Sequence, residues 1–167
     1  MPDTFTLIAS STLASAQAEI TFSSIPATFT DLQLFYSIRS AGSGAVNYPA
    51  LKIKGVTTNQ TMKVLLGTGS STSSSSPTLI EWWVPASTAT ASTFSNDSFY
   101  FPNYAGSNNK SISKDTVTEN NATAAYAELG AALWSSSAAI TSLTVYIQGG
   151  ANLAQYSTAY LYGVKNA

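Results

Sequence analysis

A strict alternation of side chains over residues 31–39 is the feature that most narrows the fold of this chain. Leu32, Leu34, Tyr36 and Ile38 stand at every second position, and most of the places between them hold polar side chains. In an extended chain successive side chains point to opposite faces of a sheet, so these four residues share one face. The pattern predicts an antiparallel strand with one face in a hydrophobic core and the other toward water.

Short runs of the same kind recur along the chain, separated by turns rich in Gly, Pro, Ser and Thr, and they predict further strands. These strands are expected at residues 5–8, 19–23, 51–54, 62–66, 79–84, 99–101, 111–118, 143–147 and 156–164. Residues 67–77 carry almost no side chain that can pack, so we expect this segment to be mobile or to lie at a contact.

Residues 121–134 are compatible with either a helix or a strand. Alanine has the best helix propensity, and Tyr126, Leu129 and Leu133 stand at helical offsets of three and four. Gly130 disfavours a helix, and the residues before Tyr126 also alternate as a strand would. Helix and strand therefore both remain open for this segment.

About nine short strands with at most one short helix indicate an all-β chain. An antiparallel β-sandwich of jelly-roll-like form is the architecture that this spacing predicts. The 167 residues can bury a core of their own, and no internal repeat or linker divides them. We expect one domain over residues 1–167, with residues 1–18 as a candidate N-terminal arm.

The chain contains no histidine and no cysteine, and only 9% of its residues are charged. Most hydrolytic, redox and metal-dependent mechanisms draw on these side chains. We therefore expect a protein that is not an enzyme, with no catalytic residues, no cofactor and no metal. A calcium site built from Asp97, Asp115 or Glu119 is the metal alternative, because calcium takes oxygen ligands.

The eight acidic residues are spread along the chain, and we expect each of them at the solvated surface. No two stand close enough in sequence to indicate a catalytic carboxylate pair. The fold could still bring two together, and a glycan hydrolase would need a pair about 5 to 10 Å apart in a cleft.

A formal net charge of −1 gives no basis for broad binding to DNA or to an anionic membrane. The first residues show no basic region followed by an apolar stretch, so we expect no secretory signal. The sequence thus predicts a protein made in a cytoplasm that binds neither nucleic acid nor membrane. A surface with so little charge also protects weakly against self-association.

Aromatic residues are the best candidates for contacts with a partner. Trp82 and Trp83 are adjacent on a predicted strand, so one is expected in the core and the other on the opposite face, as an interface anchor or a sugar platform. The predicted contact segments are residues 2–8 and residues 67–77. The candidate contact residues are Phe5, Leu7, Trp82, Trp83, Tyr100 and Tyr104.

Three blocks of the sequence carry a family resemblance. Residues 20–34 read ITFSSIPATFTDLQL, residues 101–111 read FPNYAGSNNKS and lead into 117–126, and residues 154–165 read AQYSTAYLYGVK. Together they resemble small virion structural proteins of tailed bacteriophages, of the aquatic or cyanophage type. The resemblance covers most of the chain from residue 19, and it rests on structural motifs that include no catalytic residue.

The resemblance implies a particle component, located on the virion, with a β-sandwich fold. The favoured function is a capsid decoration or cement protein that binds the major capsid protein or another virion protein as a homo-oligomer, with a trimer as the favoured state. The alternative is a tail or fibre protein that binds host-surface glycans through aromatic platforms.

Overall fold

The structure is a computed structural model that describes residues 4–121 and 124–165. In this part of the chain the strands pair antiparallel throughout. Eight of them form a large sheet, in the spatial order β1 (Phe5–Thr12), β13 (Thr158–Val164), β3 (Asp31–Ser37), β9 (Asn96–Phe101), β10 (Lys110–Thr118), β11 (Tyr126–Trp134), β6 (Gln60–Gly67) and β7 (Thr72–Ser75).

Two smaller sheets complete the fold. Three strands form the second sheet, in the order β2 (Glu19–Phe22), β12 (Leu143–Ile147) and β5 (Pro49–Ile53). The third sheet pairs β4 (Val46–Asn47) with β8 (Val84–Pro85), and a short 3₁₀ turn follows β12 at Gln148–Gly150. The prediction of an all-β, antiparallel, sandwich-like fold is confirmed.

The hydrophobic core lies between the large sheet and the three-stranded sheet. Leu32, Leu34, Tyr36 and Ile38 are buried, as their alternation predicts. Phe99 and Phe101 of β9 join them from the large sheet, and the three-stranded sheet supplies Ile20, Phe22, Leu51, Ile53, Leu143, Val145 and Ile147. The inner face of the large sheet is thus covered by the second sheet and by the segment around Trp82, which packs on Tyr36 and Phe99.

Three segments differ in detail from the sequence-based expectation. Within residues 67–77 the structure contains β7, which pairs with β6 at the edge of the large sheet although its four side chains are exposed. Residues 79–84 are not one continuous strand, because a bridge at Glu81 and the short β8 are the only pairings recorded there. Residues 126–134 form β11, while residues 122 and 123 lie outside the described part of the chain.

The two ends of the resemblance region pack against each other. A Cβ atom at Gly163 would overlap the ring of Phe29, so a residue without a side chain is needed where that ring crosses β13. The ammonium group of Lys165 lies 5.6 Å from the centroid of the same ring, within the range of a cation–π contact. The Gly-Val-Lys segment therefore has a packing role in this fold.

The start of the chain joins the large sheet as an edge strand. β1 pairs with β13 from Phe5 opposite Val164 to Thr12 opposite Thr158, with an irregularity between Leu7 and Ala9. Residues 5–12 of the candidate N-terminal arm are therefore a part of the sheet in this structure.

Candidate assembly surface

The large sheet has a second face, turned away from the core, that no other sheet covers. We call it the outer face. It carries seven of the ten large hydrophobic residues that are exposed in the described part of the chain. These seven are Phe5, Leu7, Phe35, Leu65, Val117, Leu129 and Tyr160. Scattered single apolar residues are normal on a protein surface, whereas these seven are concentrated on one face of one sheet.

The outer face carries very little charge. Among the described outward positions of its strands, the exposed charged residues are Lys63 on β6 and Asp115 on β10. Asp31 also points outward by register, but its side chain is buried. Its carboxylate accepts hydrogen bonds from the Tyr100 hydroxyl at 2.6 Å and from the Asn103 backbone N–H at 2.7 Å. The centre of the face is otherwise lined by hydroxyl and amide side chains.

One end of the outer face is aromatic. Phe5, Phe35, Tyr160 and Tyr162 line a shallow groove, which we call the aromatic patch. Phe35 lies opposite Tyr160 in the register, and its ring meets Tyr162 edge to face, with 6.1 Å between centroids and 78° between planes. Leu7 extends this patch, because it lies opposite Tyr162.

The other end of the outer face is aliphatic. Leu129 of β11 lies opposite Leu65 of β6, and their exposed fractions are 60% and 63%. Val117, Ala127 and Ala131 surround them, and we call these five residues the leucine patch. Two open grooves run along it between β11 and β7.

The six residues predicted to contact a partner occupy different environments. Phe5 and Leu7 lie exposed on the outer face. Tyr100 is half-buried on that face, where the hydrogen bond to Asp31 raises the pKa of its hydroxyl to about 12. Tyr104 is buried, and its hydroxyl donates to the Pro26 carbonyl oxygen, so its side chain is not available to a partner.

The adjacent tryptophans occupy different environments, although the segment that carries them is not a continuous strand. Trp82 is buried in the core, where its ring stacks on Tyr36 with 5.9 Å between centroids, and it therefore offers nothing to a partner. Trp83 is half-buried and stacks on Tyr126 at 4.6 Å, while Tyr48 covers it at 3.7 Å. Trp83 is thus largely satisfied by its own chain, and it lies away from the outer face.

The expectation that every acidic residue is solvated is wrong for three of the eight. Asp31, Asp97 and Glu128 are buried. Asp97 and Glu128 point inward because they share the inward register of Phe99 on β9 and Trp134 on β11. The signal was present in the sequence, since Asp97 alternates with Phe99 and Phe101.

Asp97 lies in the core beside the buried tryptophan. Its Oδ2 accepts hydrogen bonds from Trp82 Nε1 at 2.9 Å and from the Ser95 hydroxyl at 2.6 Å. Its Oδ1 has no hydrogen-bond partner within the described residues. Burial raises the pKa of Asp97 from 3.8 to about 8, against the lowering effect of those two hydrogen bonds and of Lys114.

A buried ion pair lies next to this carboxyl group. Lys114 Nζ contacts Glu128 Oε2 and also donates to the backbone carbonyl of Glu81 at 2.8 Å. Burial lowers the pKa of Lys114 and raises that of Glu128, while each partner opposes the shift of the other. A Cβ at Gly130 would come within 3.0 Å of Lys114 Cε, so the glycine leaves space for the lysine chain to cross β11.

A cleft of about 240 Å³ brings two carboxylate residues to one place on the inner side. Glu81 and Glu128 both line it, together with the rings of Tyr48 and Trp83. Both carboxylates have other partners, since Glu128 contacts Lys114 and Glu81 accepts a hydrogen bond from Gln148 Nε2 at 2.7 Å. Lys114 thus joins the backbone of Glu81 to β10, and Gln148 joins the Glu81 side chain to the 3₁₀ turn.

Two of the candidate calcium ligands, Asp97 and Asp115, do not come together, because they lie on opposite faces of the large sheet. Asp115 is exposed on the outer face, whereas Asp97 points into the core from the neighbouring strand. Within residues 4–121 and 124–165, acidic side chains do not form a group of three that could hold a metal ion. The same part of the chain contains no helix long and apolar enough to cross a membrane.

Comparison of the chain with models of protein families and with curated proteins found no match.

Proposed function

We propose that this chain is a structural protein of a bacteriophage virion, a decoration protein that binds the outer surface of the capsid. The observation that carries the proposal is the outer face, on which seven large hydrophobic residues accompany only two exposed charges in the described strands. A face of this composition gains free energy by leaving water, at about 25 cal/mol per Å² of apolar surface. The sequence resemblance to virion structural proteins of tailed bacteriophages is the reason for proposing the capsid as the partner.

The proposed role is mechanical and not catalytic. The aromatic patch would dock on coat subunits, and binding to the assembled state would stabilise that state by mass action. The fold suits such a role because strands of the large sheet bury a shared core and hold the patch residues at fixed positions. The proposed site of action is the exterior of the virion.

Binding to capsids tests this function. Purified protein is mixed with expanded, empty capsids of the phage that carries the gene, and the capsids are sedimented. We expect saturable co-sedimentation at a fixed ratio to the coat protein. The double variant Phe35→Ser, Tyr160→Ser should weaken binding at least tenfold, because it removes two anchors of the aromatic patch.

The matched control is Tyr156→Ser, which removes an exposed tyrosine that is not part of the outer face. The control should bind capsids as the parent chain does. A protein that stays in the supernatant at all concentrations would contradict the proposal. So would equal loss of binding in the control and the double variant.

Glycan binding is the second candidate, and the groove of the aromatic patch is the observation that favours it. Two neighbouring tyrosine hydroxyls could hydrogen-bond a sugar there. The edge-to-face arrangement of Phe35 and Tyr162 does not, however, form a flat platform of coplanar rings. Titration with host-surface polysaccharide, followed by NMR shifts of the patch residues, separates this candidate from capsid binding.

A further inference from the structure

We propose that the leucine patch is a two-fold interface with a second copy of this chain, in which Lys63 of each copy faces Asp115 of the other. The leucine patch lies on the part of the outer face that is separate from the aromatic patch. The proposed interface does not rest on the proposed function, because purified protein alone would form this dimer.

The strand register places the residues of this surface on a simple grid. Asp115, Leu129 and Leu65 form one row across β10, β11 and β6, and the next outward row contains Ala131 and Lys63. Neighbouring strands are about 4.8 Å apart, and outward residues of one strand are about 6.8 Å apart. Lys63 and Asp115 therefore stand about 12 Å apart at opposite corners, with Leu129 and Ala131 between them.

This arrangement is self-complementary under a two-fold rotation. In an isologous interface residue i of one copy contacts residue j of the other, and j contacts i. The two-fold axis lies in the plane of the outer face and passes between Leu129 and Ala131. It is the perpendicular bisector of the line from Lys63 to Asp115, so rotation about it places Lys63 of one copy over Asp115 of the other. Each lysine then meets an aspartate, and Leu129 and Leu65 of both copies are buried at the centre.

Charge complementarity favours a second copy over an unrelated apolar partner. A purely apolar partner would remove water from Lys63 and Asp115 without offering them opposite charges, which carries a desolvation cost. The second copy supplies both opposite charges at the required places. The position of the Lys63 ammonium group is compatible with this, since its Nζ donates to the Ser76 hydroxyl at 2.8 Å on the edge of the surface.

The area available points to a reversible dimer. The outward rows of β10, β11 and β6 span about 14 by 27 Å, and the two outward rows of the shorter β7 add about 5 by 14 Å, which gives about 900 Å² for two copies together. Interfaces below about 1,200 Å² are typical of weak and transient complexes, so we expect a monomer–dimer equilibrium and not an obligate dimer.

Charge reversal tests the interface. Sedimentation velocity over a range of concentrations gives the dissociation constant of the parent chain and of the variants Lys63→Glu, Asp115→Lys and the double variant with both changes. Each single variant should weaken the dimer at least tenfold, because two like-charge contacts replace two attractive ones. The double variant should recover a dissociation constant within about threefold of the parent value.

Two further variants separate this interface from general surface effects. Lys52→Glu changes a lysine on the three-stranded sheet and should leave the dimer unchanged. Leu129→Asn should weaken the dimer at least tenfold while far-UV circular dichroism shows an unchanged fold. A chain that stays monomeric at millimolar concentration, an oligomer of another order, or single variants that the double variant does not rescue would each overturn the proposal.

Discussion

At the scale of single residues, the most unusual feature is a carboxyl group in the hydrophobic core. Asp97 is fully buried between Trp82, Ser95 and the Lys114–Glu128 pair. Burial disfavours its charged form and raises its pKa to about 8. At neutral pH the folded protein therefore keeps Asp97 mainly protonated, whereas the unfolded chain ionises it.

This difference makes stability depend on pH. Between pH 4 and 8 the folded state binds more protons at Asp97 than the unfolded state does, so the free energy of unfolding falls as pH rises. We expect a slope of up to about 1 kcal/mol per pH unit from this group. The contribution of protonated Asp97 to the free energy of unfolding is fully present below pH 4 and is lost as pH rises through about 8.

The variant Asp97→Asn isolates this effect, since its amide has no proton to lose. Urea unfolding at intervals from pH 6 to pH 9 should show the parent chain losing stability relative to the variant as pH rises. Asp115→Asn, an exposed carboxylate on the neighbouring strand, serves as the control in dilute solution and should run parallel to the parent chain. A constant difference between parent and Asp97→Asn would show that Asp97 is ionised in the folded protein.

At the scale of elements, one arginine organises a long irregular segment. The Arg39 guanidinium donates hydrogen bonds to the carbonyl oxygens of Ala86, Ala89, Thr90 and Thr93, at distances from 2.7 to 3.1 Å. These groups belong to the connection between β8 and β9, which has no strand pairing of its own. The side chain thus supplies partners for carbonyl groups that have no place in a sheet.

Replacing Arg39 by lysine keeps the positive charge and removes the planar fork of donors. A lysine ammonium cannot reach the carbonyl groups on both sides, so the segment should loosen. We expect a loss of about 1 to 3 kcal/mol in the free energy of unfolding. Limited proteolysis should show faster cleavage within residues 86–93.

The matched control for this variant is Lys54→Arg, an exposed change outside the segment. Its cleavage pattern and stability should equal those of the parent chain. Unchanged protection of residues 86–93 in Arg39→Lys would mean that the carbonyl contacts do not hold the segment.

At the scale of the whole molecule, the first and last strands of the fold pair with each other. β1 pairs with β13 along its full length, and Lys165 N–H donates to the Thr4 carbonyl oxygen at 3.0 Å. Such pairing joins residues that are very distant in sequence, so we expect it to form slowly. In the folded protein it is a part of the large sheet. Ile8 and Ala9 also pack against the core.

We therefore expect the first strand to be ordered in the free protein. Amide hydrogen exchange should show protection at those amides of residues 5–12 that donate hydrogen bonds to β13. Removal of residues 1–12 should lower stability and expose β13 as an edge strand that pairs with other chains. Rapid exchange of the amides of residues 5–12 in the isolated protein would instead support an arm that orders only on assembly.

The sequence alone determined the fold class of this protein, because alternation of apolar and polar residues is a local property that fixes which side chains share a sheet face. It determined the buried face of β3 in this way. It left residues 121–134 open, because alanine suits both a helix and a strand until neighbouring strands provide hydrogen bonds. Tertiary structure decided that case by placing β11 between β10 and β6.

Only tertiary structure could also assign the buried charges and the outer face. Lys114, Glu128 and Asp97 are tolerated in the core because strands distant in sequence bring them together and Gly130 leaves room for the lysine. Phe5, Phe35 and Tyr160 form a patch for the same reason, since β1, β3 and β13 are neighbours in space and not in sequence. Local patterns fix which way a side chain points, whereas long-range strand order fixes which side chains it meets.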